Sequence, residues 1–235
     1  MKLSATEIQS LYKFTRQHYV YHYDIQTELV DHLANDIEQI WATQPNLSFE
    51  EARDTSFKKF GVFGFMDVVD AKQKQMNKRY RKILWRFFKV WFTMPKLLLT
   101  IAIFVGLYLV LKIPYSEYIV LGSLLIICIT DLIKQHSERK HQKNKKIENE
   151  KVFLLEAMIG TTRQTFSSLA FVNIFNIVNM MKFNFSSLDN NWLLLTSFCT
   201  TLLLIFFYVS AYVIPKKAEA LLLETYPEYK LVKGL

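Results

Sequence analysis

Hydrophobic positions follow two patterns along this chain. Up to about residue 70 they recur every three or four places among charged neighbours, the period of an amphipathic helix, and beyond Lys96 they gather into long runs. Ser4-Ala5-Thr6-Glu7 has the capping-box pattern and predicts a helix from Ala5 to about Gln17, with Ile8, Leu11, Tyr12 and Thr15 inward. After a break near Tyr21, Asp24 is placed to cap a second helix from Ile25 to about Thr43, whose Ile25, Leu29, Leu33, Ile37, Ile40 and Trp41 share one face. Pro45 ends it. Ser48-Phe49-Glu50-Glu51 is a second capping box, opening a helix that buries Phe49, Ala52, Ser56 and Phe60 and stops at Gly61. A longer helix from about Phe65 then runs through a basic stretch.

The apolar runs have the length and composition of membrane spans. Trp192 to Ile214 is uncharged and long enough to cross a hydrocarbon core of roughly 30 Å, and Pro215-Lys216-Lys217 closes it. Leu97 to Leu111 is short, so Phe87 to Pro95 is expected to extend it through the interface, with Lys89 and Lys96 snorkelling. Tyr118 to Thr130 reaches span length if it starts earlier and continues through Asp131 to Ile133. With Pro114 in the connection, these two runs make a helical hairpin or a half-inserted re-entrant pair. Gln164 to Met181 carries Asn173, Asn176 and Asn179 at steps of three, a stripe that faces protein. Interhelical hydrogen bonding is favoured over a polar transport path, because no ionisable residue sits among the asparagines.

These elements predict an all-α fold: a small cytoplasmic helical bundle followed by a polytopic membrane region of four transmembrane helices in two hairpins. The expected boundaries are 1–70 for the helical domain, 71–92 for a basic helical stalk and 93–134 for the first hairpin. Residues 135–163 form a basic loop with an amphipathic helix, 164–214 the second hairpin and 215–235 a cytoplasmic tail. The tail is read as an interfacial helix or as a cover for the helical domain.

Charge orients this arrangement. The chain of 235 residues carries a net charge of +8, and Lys72 to Lys96 holds nine basic residues and no acid. The loop from Lys134 to Lys151 is also strongly basic, whereas the connections around Ile113–Glu117 and Lys182–Asn191 are nearly uncharged. The positive-inside rule therefore puts both termini in the cytoplasm of a bacterial inner membrane, and the first residues show no secretory signal. The basic clusters adjoin the spans, so anionic lipid headgroups are the expected partner and direct nucleic-acid binding is not. Oligomeric state stays open. Cys128 and Cys199 fall within apolar runs and read as packing residues.

Little here points to reaction chemistry. His18, His22, Asp24, Glu28 and His32 cluster in sequence, but no Cys-x-x-Cys or His-Glu-x-x-His spacing accompanies them, so no metal or cofactor is expected. No nucleophile elbow, phosphate loop or dinucleotide fingerprint occurs, and an enzyme is not expected. Glu28, Asp31, His32 and Asn35 stand at i, i+3, i+4 and i+7, one polar face beside the apolar stripe. That face reads either as a Glu28–His32 pair supporting the helix, or as a docking surface for a cytoplasmic partner with His32 as a pH-responsive contact.

Three segments carry a resemblance: Ile25-Gln26-Thr27-Glu28-Leu29-Val30-Asp31-His32-Leu33 through Ile37-Glu38, then Leu47-Ser48-Phe49-Glu50-Glu51-Ala52, then Phe57-Lys58-Lys59-Phe60-Gly61. Together, over about Tyr12 to Asp70, they resemble the HAAS domains. These are helical signalling modules found before membrane spans and associated with PadR-type transcription regulators; they are also similar to the prefix domains of some permeases. The chain departs from that pattern at Gln44-Pro45-Asn46, where glycine is common, and at Gly61-Val62-Phe63, where Gly-Asp-Pro is usual. The resemblance implies a non-enzymatic membrane-bound signalling or regulatory adaptor, with Glu28, Asp31, His32 and Asn35 meeting a cytoplasmic protein such as a PadR-type regulator. The alternative is a small transporter, or transporter subunit, with a path lined by Asn173, Asn176 and Asn179.

Overall fold

The computed structural model describes residues 2–147, 151–162 and 185–233, and within them every regular element is helical. The first four helices are α1 (Ala5–Gln17), α2 (Tyr23–Thr43), α3 (Phe49–Lys58) and α4 (Met66–Lys89). Next come α5 (Lys96–Leu111), α6 (Ser116–Ile147), α7 (described over 154–162) and α8 (Asn190–Tyr208). A π-helical turn, Val209–Val213, leads into α9 (Ile214–Lys216), followed by α10 (Ala218–Thr225) and α11 (Tyr229–Lys233). The chain forms two compact units: Met1–Tyr80 with Lys151–Ala157, and Arg81–Glu150 with Met158–Leu235.

The first unit is organised by the local signals in its sequence. At α1 the Glu7 amide donates to Ser4 Oγ at 3.3 Å and the Ser4 amide to the Glu7 carboxylate at 2.7 Å. At α3 the Glu51 amide donates to Ser48 Oγ at 3.3 Å and the Ser48 amide to Glu51 at 3.0 Å. Both boxes satisfy backbone donors that a helix start leaves without an intrahelical acceptor. Between these caps α2 buries Ile25, Leu29, Leu33, Ile37 and Trp41, with Leu11, Thr15, Ala52 and Ser56 from its neighbours. Phe49, Ile40 and Phe60 are only partly covered. Gly61 takes φ 77°, as its helix-ending role requires, and Gly64 takes φ 55°. A Cβ on Gly64 would come within 2.9 Å of the Phe57 ring.

The helical unit is not continuous in sequence. It extends to Tyr80, beyond the residue 70 boundary read from the sequence, and gathers in Lys151–Ala157 as a strap. The Tyr23 amide donates to the Val152 carbonyl at 2.9 Å, and the Leu154 amide donates to Asp24 Oδ1 at 3.0 Å. Phe153, Leu154 and Leu155 are buried, the Phe153 ring lying 5.5 Å from that of Tyr23. Fully burying side chains of this size stabilises by roughly 1.5–3 kcal/mol each, enough to hold a short segment in place. The expected role of Asp24 is thereby corrected. α2 begins at Tyr23 rather than Ile25, its N-cap His22 makes no side-chain cap, and Asp24 caps the start of α7 instead.

The second unit pairs α5 with α8 and α6, and small polar residues join Leu193, Ile205, Val209 and Ile214 in its interior. Thr100, Ser197, Thr201 and Ser210 are buried, while Leu98, Ile126, Phe198 and Leu203 are each more than half exposed. Phe87–Pro95 does not extend α5 as expected: the path bends by 80° between Phe92 and Lys96. Thr93 is extended (φ −113°, ψ 151°), and Pro95, whose missing amide hydrogen costs nothing at a helix start, stands at the N-cap of the new helix. α6 is continuous from Ser116 through the apolar run into the basic stretch.

Nor does Pro215 stop the last long helix, which runs 27 residues from Asn190 to Lys216. A proline ring strikes the carbonyl four residues back, here Ala211, and that carbonyl lies in the π-helical turn, where the spacing is wider. Among the described residues this helix alone is long and apolar enough to cross a membrane unaided; α4 and α5 pass only as a bent pair, and α6 opens with a shorter apolar stretch, Ser116–Ile127. The expected Gln164–Met181 span lies outside the described residues. The tail belongs to this unit: Leu221, Leu222, Tyr226 and Tyr229 are buried, and Arg86 donates to both carboxylate oxygens of Glu224 at 2.9 and 3.0 Å. Cys199 faces outward instead of packing.

Candidate functional site

The amphipathic pattern of α2 puts one stripe of the helix in the core and leaves the next stripe at the surface. There it forms one wall of a groove of about 540 Å³ in the first unit. Glu28, His32, Asn35 and Asp36 line it from α2, Ser56, Lys59 and Phe60 from α3 and its C-terminal turn, and Val68 from α4. Leu29, Phe60 and Val68 are the apolar members of this lining.

Three of the four residues singled out in the sequence, Glu28, His32 and Asn35, thus share the groove, and Asp31 does not. Asp31 stands on the side towards α1. Tyr12 there has its hydroxyl pKa raised, chiefly by burial, against the hydrogen bond to Thr27, with Tyr23 adding to the rise and the Asp31 charge adding least. That bond runs from Tyr12 Oη to Thr27 Oγ1 at 3.2 Å.

The expected Glu28–His32 pairing is replaced. The Glu28 carboxylate meets Lys72 Nζ of α4 at 2.6 Å, and Asp36 meets Lys59 Nζ at 2.6 Å. Burial alone would raise the Asp36 carboxyl, but the Lys59 ammonium, which donates to it and lies beside it as a charge, outweighs burial and lowers the pKa. With both carboxylates engaged by lysines, the groove presents an apolar surface edged by the His32 imidazole and the amides of Asn35 and Gln39. These groups suit recognition of another surface better than acid–base chemistry.

The other two histidines of the first unit serve packing and a helix start. His18 belongs to an aromatic cluster, its ring 4.3 Å from Phe57 and 4.5 Å from Phe14, with Phe65 beside them. His22 sits at the start of α2, where burial lowers its pKa against the opposing charge of Asp24. Among the described residues no three His, Cys, Asp or Glu side chains converge in a way that could hold a metal. Asn173, Asn176 and Asn179 lie outside the described residues.

Sequence spacing missed Lys59, Lys72 and the strap. The two lysines come from other helices, so no periodicity links them to α2. The strap left only the Phe153-Leu154-Leu155 triplet after a basic loop, which reads equally as an amphipathic approach to a span. Comparison of the chain with protein-family models, curated proteins and solved structures finds no match.

Proposed function

We propose that the chain is a non-enzymatic regulatory adaptor of a bacterial cytoplasmic membrane, with four spans in two hairpins and both termini in the cytoplasm. The membrane assignment is supported by the second unit, whose Leu98, Ile126, Phe198 and Leu203 are 62%, 65%, 51% and 69% exposed. Hydrocarbon accepts such a surface, whereas water opposes it. The acid-free basic stretch from Lys72 to Lys96 supports the orientation.

The observation that carries the adaptor reading is the groove on α2. Its volume, apolar lining and polar edge fit the apolar face of a partner helix, a common mode of helix-in-groove recognition. On this reading the occupant is a cytoplasmic protein, a PadR-type regulator being the candidate that the HAAS resemblance supplies. Two covalent routes join the two units: α4, beyond Tyr80, and the strap, at both of its ends. A rearrangement of the spans would act on the groove through α4, which supplies both Val68 and Lys72, and on α2 through the strap.

The test is purification of the full chain from native membranes in mild detergent, as wild type and as His32→Glu with Asn35→Trp. The wild type is expected to carry a stoichiometric cytoplasmic partner and the double variant to lose it, with helicity and membrane insertion unchanged. A partner retained at full stoichiometry by the double variant would overturn the assignment.

A further inference from the structure

We infer that the last turns of α4 lie flat in the cytoplasmic headgroup layer and bind anionic lipid through Lys82, Trp85, Lys89 and Phe92. The inference rests on the proposal that α5 and α8 cross a bilayer. Spans tilt on average by about 20° from the membrane normal. A helix bent 80° away from such a span therefore runs close to the membrane plane. The expected stalk thus becomes an interfacial helix.

The side chains fit that placement. Positions 82, 85, 89 and 92 are separated by three, four and three residues, so they share one face of the helix and its terminal 3-10 turn. All four are exposed, Trp85 at 55%. The other face, with Ile83, Leu84 and Trp91, is buried within the protein. Lys89 Nζ stands 5.5 Å from the centre of the Trp85 ring, which stacks on Phe88 at 5.4 Å. An indole edged by an ammonium, with apolar rings beside it, matches the boundary between headgroups and acyl chains.

Charge selects the occupant. No acid occurs between Ala71 and Lys96, and Arg86 is already engaged by Glu224. Among the described residues no ion pair neutralises Lys82 or Lys89. A surface rich in anionic headgroups can, and it is the surface that the adjoining spans bring within reach.

The experiment uses the full chain with Cys128→Ser and Cys199→Ser, and single cysteines carrying bimane in place of Lys82, Trp85, Lys89 or Phe198. Each variant is reconstituted in phosphatidylcholine vesicles with and without phosphatidylglycerol, and depth is measured by quenching from lipids brominated at different acyl positions. Sites 82, 85 and 89 are expected at one shallow depth, and site 198 deep. A helix standing upright would instead spread sites 82 to 89 over about 10 Å. Omitting phosphatidylglycerol, or adding Glu at the lysines left in the stripe, is expected to reduce lipid quenching at 85 several-fold and leave 198 unchanged. A shallow or unquenched site 198 would defeat the spanning reading itself. A deep 198 with unequal depths at 82, 85 and 89 would overturn this inference alone. So would quenching indifferent to phosphatidylglycerol, or bimane shielded from aqueous iodide yet untouched by brominated lipid, the mark of a protein contact.

Discussion

Leu33 and Leu203 are the same residue in opposite settings, 0% exposed in α2 and 69% exposed in α8. Around Leu33 the first unit hides its aliphatic stripe and turns Asp31, His32 and Asn35 outward. Around Leu203 large apolar residues also face outward. α8 buries Leu193, Ser197, Thr201 and Ile205 at every fourth position and turns Leu195, Phe198 and Leu203 outward. The Ser197 and Thr201 hydroxyls donate to carbonyls four residues back, each at 2.7 Å, so neither needs water. The apolar helix of a water-facing unit buries large residues because hydrocarbon contact is gained there. A helix in lipid gains nothing from that exchange, and its contacts use small residues that admit close approach. On the proposed membrane reading the two units follow one rule under two solvents.

The sharpest way to break this comparison is to truncate both leucines. Leu33→Ala is expected to destabilise the first unit by about 2–5 kcal/mol through the cavity it leaves. Leu203→Ala should stay within about 0.5 kcal/mol, as for substitutions that touch no packed neighbour. Peptide-resolved hydrogen exchange on the full chain in lipid nanodiscs reads both. Equal losses at the two sites would erase the contrast. The converse substitution, Ser197→Leu, should cost about 1–3 kcal/mol by overfilling a close helix contact, seen as a lower unfolding midpoint by circular dichroism.

Two smaller effects probe the strap that completes the first unit. Asp24→Ala removes the acceptor for the Leu154 amide and should cost about 1 kcal/mol. Faster exchange is expected at residues 151–157 as well as at the start of α2. If α2 alone responded, Asp24 would be an ordinary cap of its own helix.

His22 gives the smallest effect. Burial lowers its pKa below the ordinary 6.5 despite the opposing charge of Asp24, so the folded state favours the neutral ring. The stability this preference contributes is present above 6.5 and lost as the pH falls through 6.5 towards the folded value. Exchange in α2 should therefore accelerate as the pH is lowered through that window, after correction for intrinsic rates, and His22→Gln should flatten the response. The lowered carboxyls of Glu7 and Asp36 titrate further down.

What the sequence conveys is what it encodes at short range. Both capping boxes, the α2 stripe and the turn at Gly61 depend on residues within a few positions of one another, and each has the geometry its spacing predicts. Asp24 shows where that reasoning ends. It occupies a good capping position, but its amide partner is Leu154, 130 residues away. Glu28 repeats the lesson, since its neighbour His32 was visible in the spacing and its lysine partner on α4 was not. The two prolines divide similarly. Pro95 marks a break without revealing the 80° turn, and Pro215 is accommodated by a π-helical turn that composition does not announce.

The central claim is that the second unit faces hydrocarbon and the first faces water. Nitroxide labels at Leu203 and Glu50, two exposed positions, test it in the full chain reconstituted in bilayers. Collision with oxygen should exceed collision with a water-soluble nickel chelate at Leu203, and the order should reverse at Glu50. Equal access of the nickel chelate to both labels would contradict the account.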